Sequence, residues 1–148
     1  MLNKHFCFSC SNEKLIDFAL LFLRIFAAGF LMTHGLAKLN GFENMKDVFP
    51  DPLGIGNTAS LIMIISAELF FPILIVLGLF TRLASIPTII GMGVAAFVIH
   101  GKDAFQVREM SLLYMGLFLI ILIGGAGKFS ADFYISKYCP YCKKDNKS

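Results

Sequence analysis

Apolar residues run along this chain in four long blocks, divided by stretches rich in polar residues, glycine and proline. The first block is Leu15 to His34, the second Thr58 to Leu79, the third Leu83 to His100 and the fourth Met110 to Ala126. A membrane-crossing helix needs about 20 apolar residues, with about 17 the practical minimum. Lipid offers no partner to open backbone groups, so a spanning segment in such a set is helical. The pattern therefore predicts an all-α, integral membrane four-helix bundle with short termini. Gly35 to Asn57 reads as a polar loop, Phe80 to Arg82 as a tight turn and Gly101 to Glu109 as a short charged loop. Gly124-Gly125-Ala126-Gly127 ends the fourth helix, since glycine commonly follows a helix C-terminus.

Composition supports the membrane reading. Of 148 residues, 57% are hydrophobic and only 16% charged, against roughly a quarter in ordinary soluble domains. A soluble domain of this size has too little volume to hide that much apolar surface. The first block is too long for a signal peptide, carries Arg24 near its centre and lacks a clear small-residue cleavage site, so it reads as a helix of the mature protein. The organisation expected is an N-terminal segment 1–14, a four-helix domain 15–127 and a loose polar tail 128–148. The net charge of +3 gives no reason to propose a nucleic-acid partner. The partner the composition implies is the lipid bilayer.

The distribution of positive charge orients the bundle. With both termini on one side, that side holds Lys4, Lys14, Arg82, Lys128, Lys137, Lys143, Lys144 and Lys147, whereas the other holds Lys38, Lys46, Lys102 and Arg108. The excess predicts cytoplasmic termini.

Two ionisable residues interrupt the blocks where charge is costly. Arg24 lies nine residues into the first block, roughly 13 Å deep at 1.5 Å per residue, and Glu68 lies ten residues into the second, which runs the opposite way. A centred arginine costs on the order of 3 kcal/mol even on lenient insertion scales. Pairing Arg24 with Glu68 is the expected remedy. Pro72, four residues on, cannot donate to the Glu68 carbonyl, so a kink is expected there. Such a pair either only fixes helix register or marks a polar cavity with catalytic use. At the outer ends of the blocks, His34, Lys38, His100 and Glu109 are the expected lining of one shared opening. Two histidines and a glutamate could hold a metal, or the group could hold a polar headgroup or a quinone ring. Interfacial side chains reaching water give the same pattern.

Four cysteines form two CxxC pairs, Cys7 with Cys10 and Cys139 with Cys142. Cys139-Pro140-Tyr141-Cys142 matches the glutaredoxin tetrad, but a tail of about twenty residues has no room for the thioredoxin fold that tunes those thiols. With both pairs on one side of the membrane, four thiolates could hold one tetrahedral zinc ion. A dithiol relay and unused thiols share the same spacing.

Three stretches resemble the DoxX family of membrane proteins. "LRIFAAGFLMTHGLAKL" (residues 23–39) carries an R-x4-G and H-G-x2-K pattern at Arg24, Gly29, His34, Gly35 and Lys38. "AELFFPILIVLGLFTRLAS" (67–85) carries a glutamate followed by an L-G-L-x-T-R turn, and "GGAGKFSAD" (124–132) a G-x-G-x-x-S-x-D ending. The resemblance spans roughly residues 15–132. It implies a four-helix inner-membrane protein and a quinone-linked or thiol- and sulfur-linked redox role, with a soluble or membrane redox partner. The alternative is a non-catalytic subunit that anchors or stabilises a soluble partner, and transport is a third class. No haem-attachment, Walker or dinucleotide-binding motif occurs, which leaves quinone, zinc or no cofactor.

Overall fold

The computed structural model describes residues 13–138, and they are helical throughout apart from turns and loops. Helix α1 runs over Glu13–Asn40, followed by the short α2, Phe42–Met45. The next crossing is built from α3 (Asn57–Ile65), a wide π turn (Ser66–Phe70) and α4 (Phe71–Leu77). The third is α5 (Thr81–Val94), which also ends in a π turn, Ala95–Ile99. Helix α6 is Phe105–Gly124 and α7 is Ala131–Tyr138. Four helices, Glu13–Asn40, Asn57–Leu77, Thr81–Ile99 and Phe105–Gly124, are long and apolar enough to cross a membrane. The expected four-helix membrane architecture is therefore present.

The four crossings form an antiparallel bundle, with α5 and α6 in the most extensive contact. Its centre is made of Ala27, Ala28, Leu31, Ile75, Phe118 and Ile121, all essentially without exposure. Large apolar side chains such as Phe22, Phe26 and Phe30 cover the outside. A bilayer accepts that arrangement, because lipid is as apolar as the side chains facing it.

Two features differ from the sequence expectation. The first helix does not stop at His34 but continues to Asn40, so Lys38 stands on helix and not in a loop. The first part of the stretch expected to be a loose tail folds back: residues 128–132 pack against the bundle and lead into α7.

The register of the first two crossings is set by Gly35. A β-carbon there would lie 2.8 Å from the Glu68 carbonyl carbon and 2.9 Å from the Leu69 β-carbon, so only glycine lets the backbones approach. With residue 35 level with 68, Arg24 is level with Gly78. The stretch of helix from Arg24 to Gly35 is about 16 Å long.

Pro72 explains the π turn. Without an N–H it cannot continue the α pattern, and the Phe71 N–H reaches back five residues to the Ser66 carbonyl. The Ala67 carbonyl is thereby left without a helical donor. The Thr88 hydroxyl, fully buried on α5, donates to it at 3.0 Å. A sequence-level breaker in one crossing is thus satisfied by a side chain from its neighbour, as buried backbone polar groups require.

Candidate functional site

Both ends of the described chain lie at one end of the bundle, the terminal end, and the 41–56 connection lies at the other, the loop end. Polar side chains gather at each.

At the terminal end the second crossing closes with Gly78 in a left-handed conformation (φ 70°), with Gly78 N–H on the Ile75 carbonyl and Leu79 N–H on the Leu74 carbonyl. This is a Schellman ending. Phe80 follows at φ 48°, also left-handed, which costs a non-glycine residue roughly 1–2 kcal/mol. The Asp132 carboxylate offsets that cost, accepting from the N–H groups of Phe80 (2.7 Å) and Thr81 (2.9 Å), while its own N–H donates to the Gly78 carbonyl. The turn is therefore tied to the last described segment by three hydrogen bonds.

Arg24 sits beneath this turn, fully buried. Its Nη2 donates to the Phe129 carbonyl at 2.6 Å, and Asp132 acts on it as opposite charge. The bare face of Gly78 makes room for Nη1, where a β-carbon would collide. Arg24 Nε and Nη1 and the Thr81 hydroxyl have no partner among the described residues. Lys128 completes the fastening, with its N–H on Asp17 at 3.0 Å and its ammonium on Glu13 at 2.9 Å. Those two carboxylates, Glu13 first, raise the Lys128 ammonium above its ordinary range.

The expected Arg24–Glu68 pair is not formed. Arg24 stands level with the end of the second crossing, and Glu68 lies about three helical turns away, near the middle of that crossing. Counting depth from Leu15 misplaces Arg24, because α1 is longer than a bilayer core and overhangs the second crossing at the terminal end.

Glu68 instead forms an ion pair with Lys38. Its side chain is almost fully buried, whereas that of Lys38 is a quarter exposed. The pair faces a cavity of about 350 Å³ inside the loop end of the bundle. His34, His100, Ser111 and Tyr114 line the same cavity, and residues 48–50 of the connection close over it. His34 meets the Tyr114 ring edge-on at 5.9 Å. The His100 Nδ1 lies 2.8 Å from an Asp103 carboxylate oxygen, a contact that fixes the imidazole at the cavity rim. The rest of the lining is apolar, from Leu31, Ile64, Met92, Ile99 and Met110. Both π turns adjoin the cavity: one carries Glu68 and the other delivers His100.

Of the sequence candidates, His34, Lys38, His100 and Glu68 are brought together, while Arg24 is at the opposite end. Glu109 is exposed and does not line the cavity. No cluster of three or more His, Cys, Asp or Glu suited to a metal occurs among the described residues, so His34, His100 and Glu109 do not form the metal site their sequence allowed. Cys7, Cys10, Cys139 and Cys142 lie outside the described residues. Tyr114 and Ser111 were missed. A lone tyrosine within an otherwise apolar crossing was the available signal, since a buried hydroxyl needs a polar neighbour.

Chemically, the loop-end cavity offers cationic and neutral N–H donors, a carboxylate held in mid-membrane and an apolar wall. That set fits a compact ring with polar edges better than a dehydrated calcium ion, which needs about six to eight oxygen ligands.

Comparison with known proteins agrees with the fold. The DoxX family profile matches residues 19–101, which takes in Arg24, His34, Lys38, Glu68 and the 78–82 turn but not α6 or the 124–132 segment. An uncharacterized protein of Haemophilus influenzae is 34% identical over 130 residues, covering 82% of this chain and 86% of that protein. A second uncharacterized protein of the same organism is 34% identical over 131 residues, covering 81% and 92%. No solved structure gives a significant match.

Proposed function

The chain belongs to the DoxX family of membrane proteins, and on that premise we propose that it is a redox component of the cytoplasmic membrane that binds a quinone ring in the loop-end cavity. The observation that carries the reading is the half-buried Lys38–Glu68 pair facing a cavity of about 350 Å³ beside two histidines. Ionisable groups at membrane depth are expensive and accumulate where a substrate or proton passes. Lys38 and the imidazoles of His34 and His100 would donate to the ring carbonyls. Glu68 would hold or release a proton next to them, with Lys38 keeping its charge balanced. The apolar wall keeps water from the ring. A bound quinone supplies reversible two-electron, two-proton chemistry, and the donor class that matches is a dithiol or reduced sulfur compound. The lysine and arginine bias supports termini on the cytoplasmic side. The test is mass spectrometry of gently purified protein. A stoichiometric quinone that disappears in Glu68→Gln is the expected result, and quinone-free protein with an intact fold would overturn it.

A second reading, a non-catalytic membrane anchor with a four-cysteine zinc site, is favoured by one observation. The Glu13–Lys128 contact sets the start of α1 beside the segment that leads to the C-terminus. The described residues therefore begin and end at the same end of the bundle. One zinc per chain, lost in Cys7→Ser, is the outcome this reading requires.

A further inference from the structure

A second void, of about 330 Å³, lies on the outside of the same end of the bundle, between the second and third crossings. Its lining is almost wholly apolar. Ile62, Met63 and Ile90, each about half exposed, lead it out to the lipid-facing surface, and Pro52 and Leu53 of the long connection lie over it. Phe49, Ile64 and Ile99 line both this groove and the polar cavity, so where they stand a wall one side chain thick divides the two. Ile64 lies just before one π turn and Ile99 ends the other. The two irregular backbone segments thus flank the boundary between a polar chamber and a lipid-facing slot.

We propose that the polar cavity and the apolar groove are the two halves of one site, which takes a molecule with a compact polar head and a single long hydrocarbon chain. This rests on the quinone reading of the cavity and adds the chain: the ring occupies the chamber, and its prenyl chain displaces the Phe49, Ile64 and Ile99 side chains that divide the two voids and lies in the groove. The molecule enters sideways from the bilayer and never crosses water. A chain that leaves lipid for such a groove gains little from burial, because acyl tails are as apolar as the lining. The groove therefore fixes where the chain lies and contributes little to how tightly the molecule is held.

The test uses the full chain in lipid nanodiscs with a ring-substituted quinone carrying one alkyl chain that ends in a diazirine. Photolysis and peptide mass spectrometry read where the chain end lies. The expected result is insertion at Ile62, Met63, Ile90 and Val94, reduced at least tenfold by excess tetramethylbenzoquinone, which has the ring but no chain. Val94→Phe, which narrows the groove without touching the polar cavity, should abolish that labelling and leave tetramethylbenzoquinone binding unchanged. Labelling that the competitor suppresses but that falls elsewhere overturns the groove and leaves the ring site standing. Groove labelling that the competitor does not change, while it still binds, means bulk lipid fills the slot and also overturns the proposal. If tetramethylbenzoquinone does not bind, the quinone reading fails and this inference with it.

Discussion

At the terminal end Arg24 is enclosed on every side, with its charge answered by Asp132 and the Phe129 carbonyl. At the loop end Lys38 and Glu68 answer each other, yet both face a cavity. Each end carries a charge at a place where charge is costly. At the first, the hydrogen-bonding groups of separate chain segments converge on the Gly78–Thr81 turn and fill the space around it. At the second, comparable groups converge on a space that is left open. Substituting the first should therefore be felt in stability and substituting the second in binding. The difference also separates residues that look equally functional in the sequence, since both groups include part of the family pattern.

The largest effect is expected from Asp132→Ala. It leaves two turn N–H groups without an acceptor and removes the charge opposite a buried guanidinium. A loss of about 2–3 kcal/mol is expected from removing a charged acceptor of two backbone hydrogen bonds, read as a fall in the unfolding midpoint in detergent, with quinone binding retained in the protein that stays folded. A stable Asp132→Ala protein would break the comparison. Thr88→Val comes next. It preserves shape but removes the hydroxyl that serves the Ala67 carbonyl, and about 1–2 kcal/mol of stability should go with it. If stability is unchanged, the Pro72-induced π turn has another source of support.

Glu68→Gln sharpens the contrast from the other side. Lys38 is a quarter exposed and can reach water once unpaired, and the glutamine amide oxygen can still accept from it, so stability should change less than in Asp132→Ala, while ring binding falls at least tenfold. Comparable losses in both would mean that the loop-end pair is a fastening too.

The smallest effect is a pH dependence outside the membrane-spanning segments. Asp51 accepts from the Ser60 hydroxyl (2.8 Å) and from the N–H groups of Gly56 (2.7 Å) and Ile55 (3.1 Å), tying the long connection to the start of α3. These bonds, the Ser60 one foremost, hold its carboxyl below the usual range. A depressed folded-state value contributes stability that is present above the unfolded value, roughly pH 4, and is lost as pH falls through the folded one. The unfolding midpoint should drop on acidification through that window, and Asp51→Asn should flatten the drop. An identical acid limb in the variant would assign it to other carboxylates.

The four crossings were legible because hydropathy and length suffice for a membrane helix, and Gly124-Gly125 marked the end of the last. The loop-end cluster was partly legible, since His34 and Lys38 share one helix face and His100 ends another crossing. The partner of Arg24 was not legible. The connection between the first two crossings is long enough to allow many registers, and the feature that selects one, the close approach at Gly35, depends on a neighbour the sequence does not reveal. Phe129, whose carbonyl accepts from Arg24, is far from it along the chain, and its approach depends on residues 128–132 folding back, which their polar composition disguised as a free tail. Pro72 did announce a break, but the carbonyl it leaves in need is that of Ala67, because the π turn moves the deficit by one residue.

The central claim is that the loop-end cavity, and not the terminal-end fastening, is a binding site. Equilibrium dialysis of tetramethylbenzoquinone, whose fully substituted ring the four cysteine thiols cannot add to across a free position, tests it most directly on wild-type protein, Glu68→Gln and His34→Ala. Saturable binding of one molecule per chain to the wild type, weakened at least tenfold in both variants, is the expected result. Binding that never saturates, or that is equal in all three proteins, would contradict it.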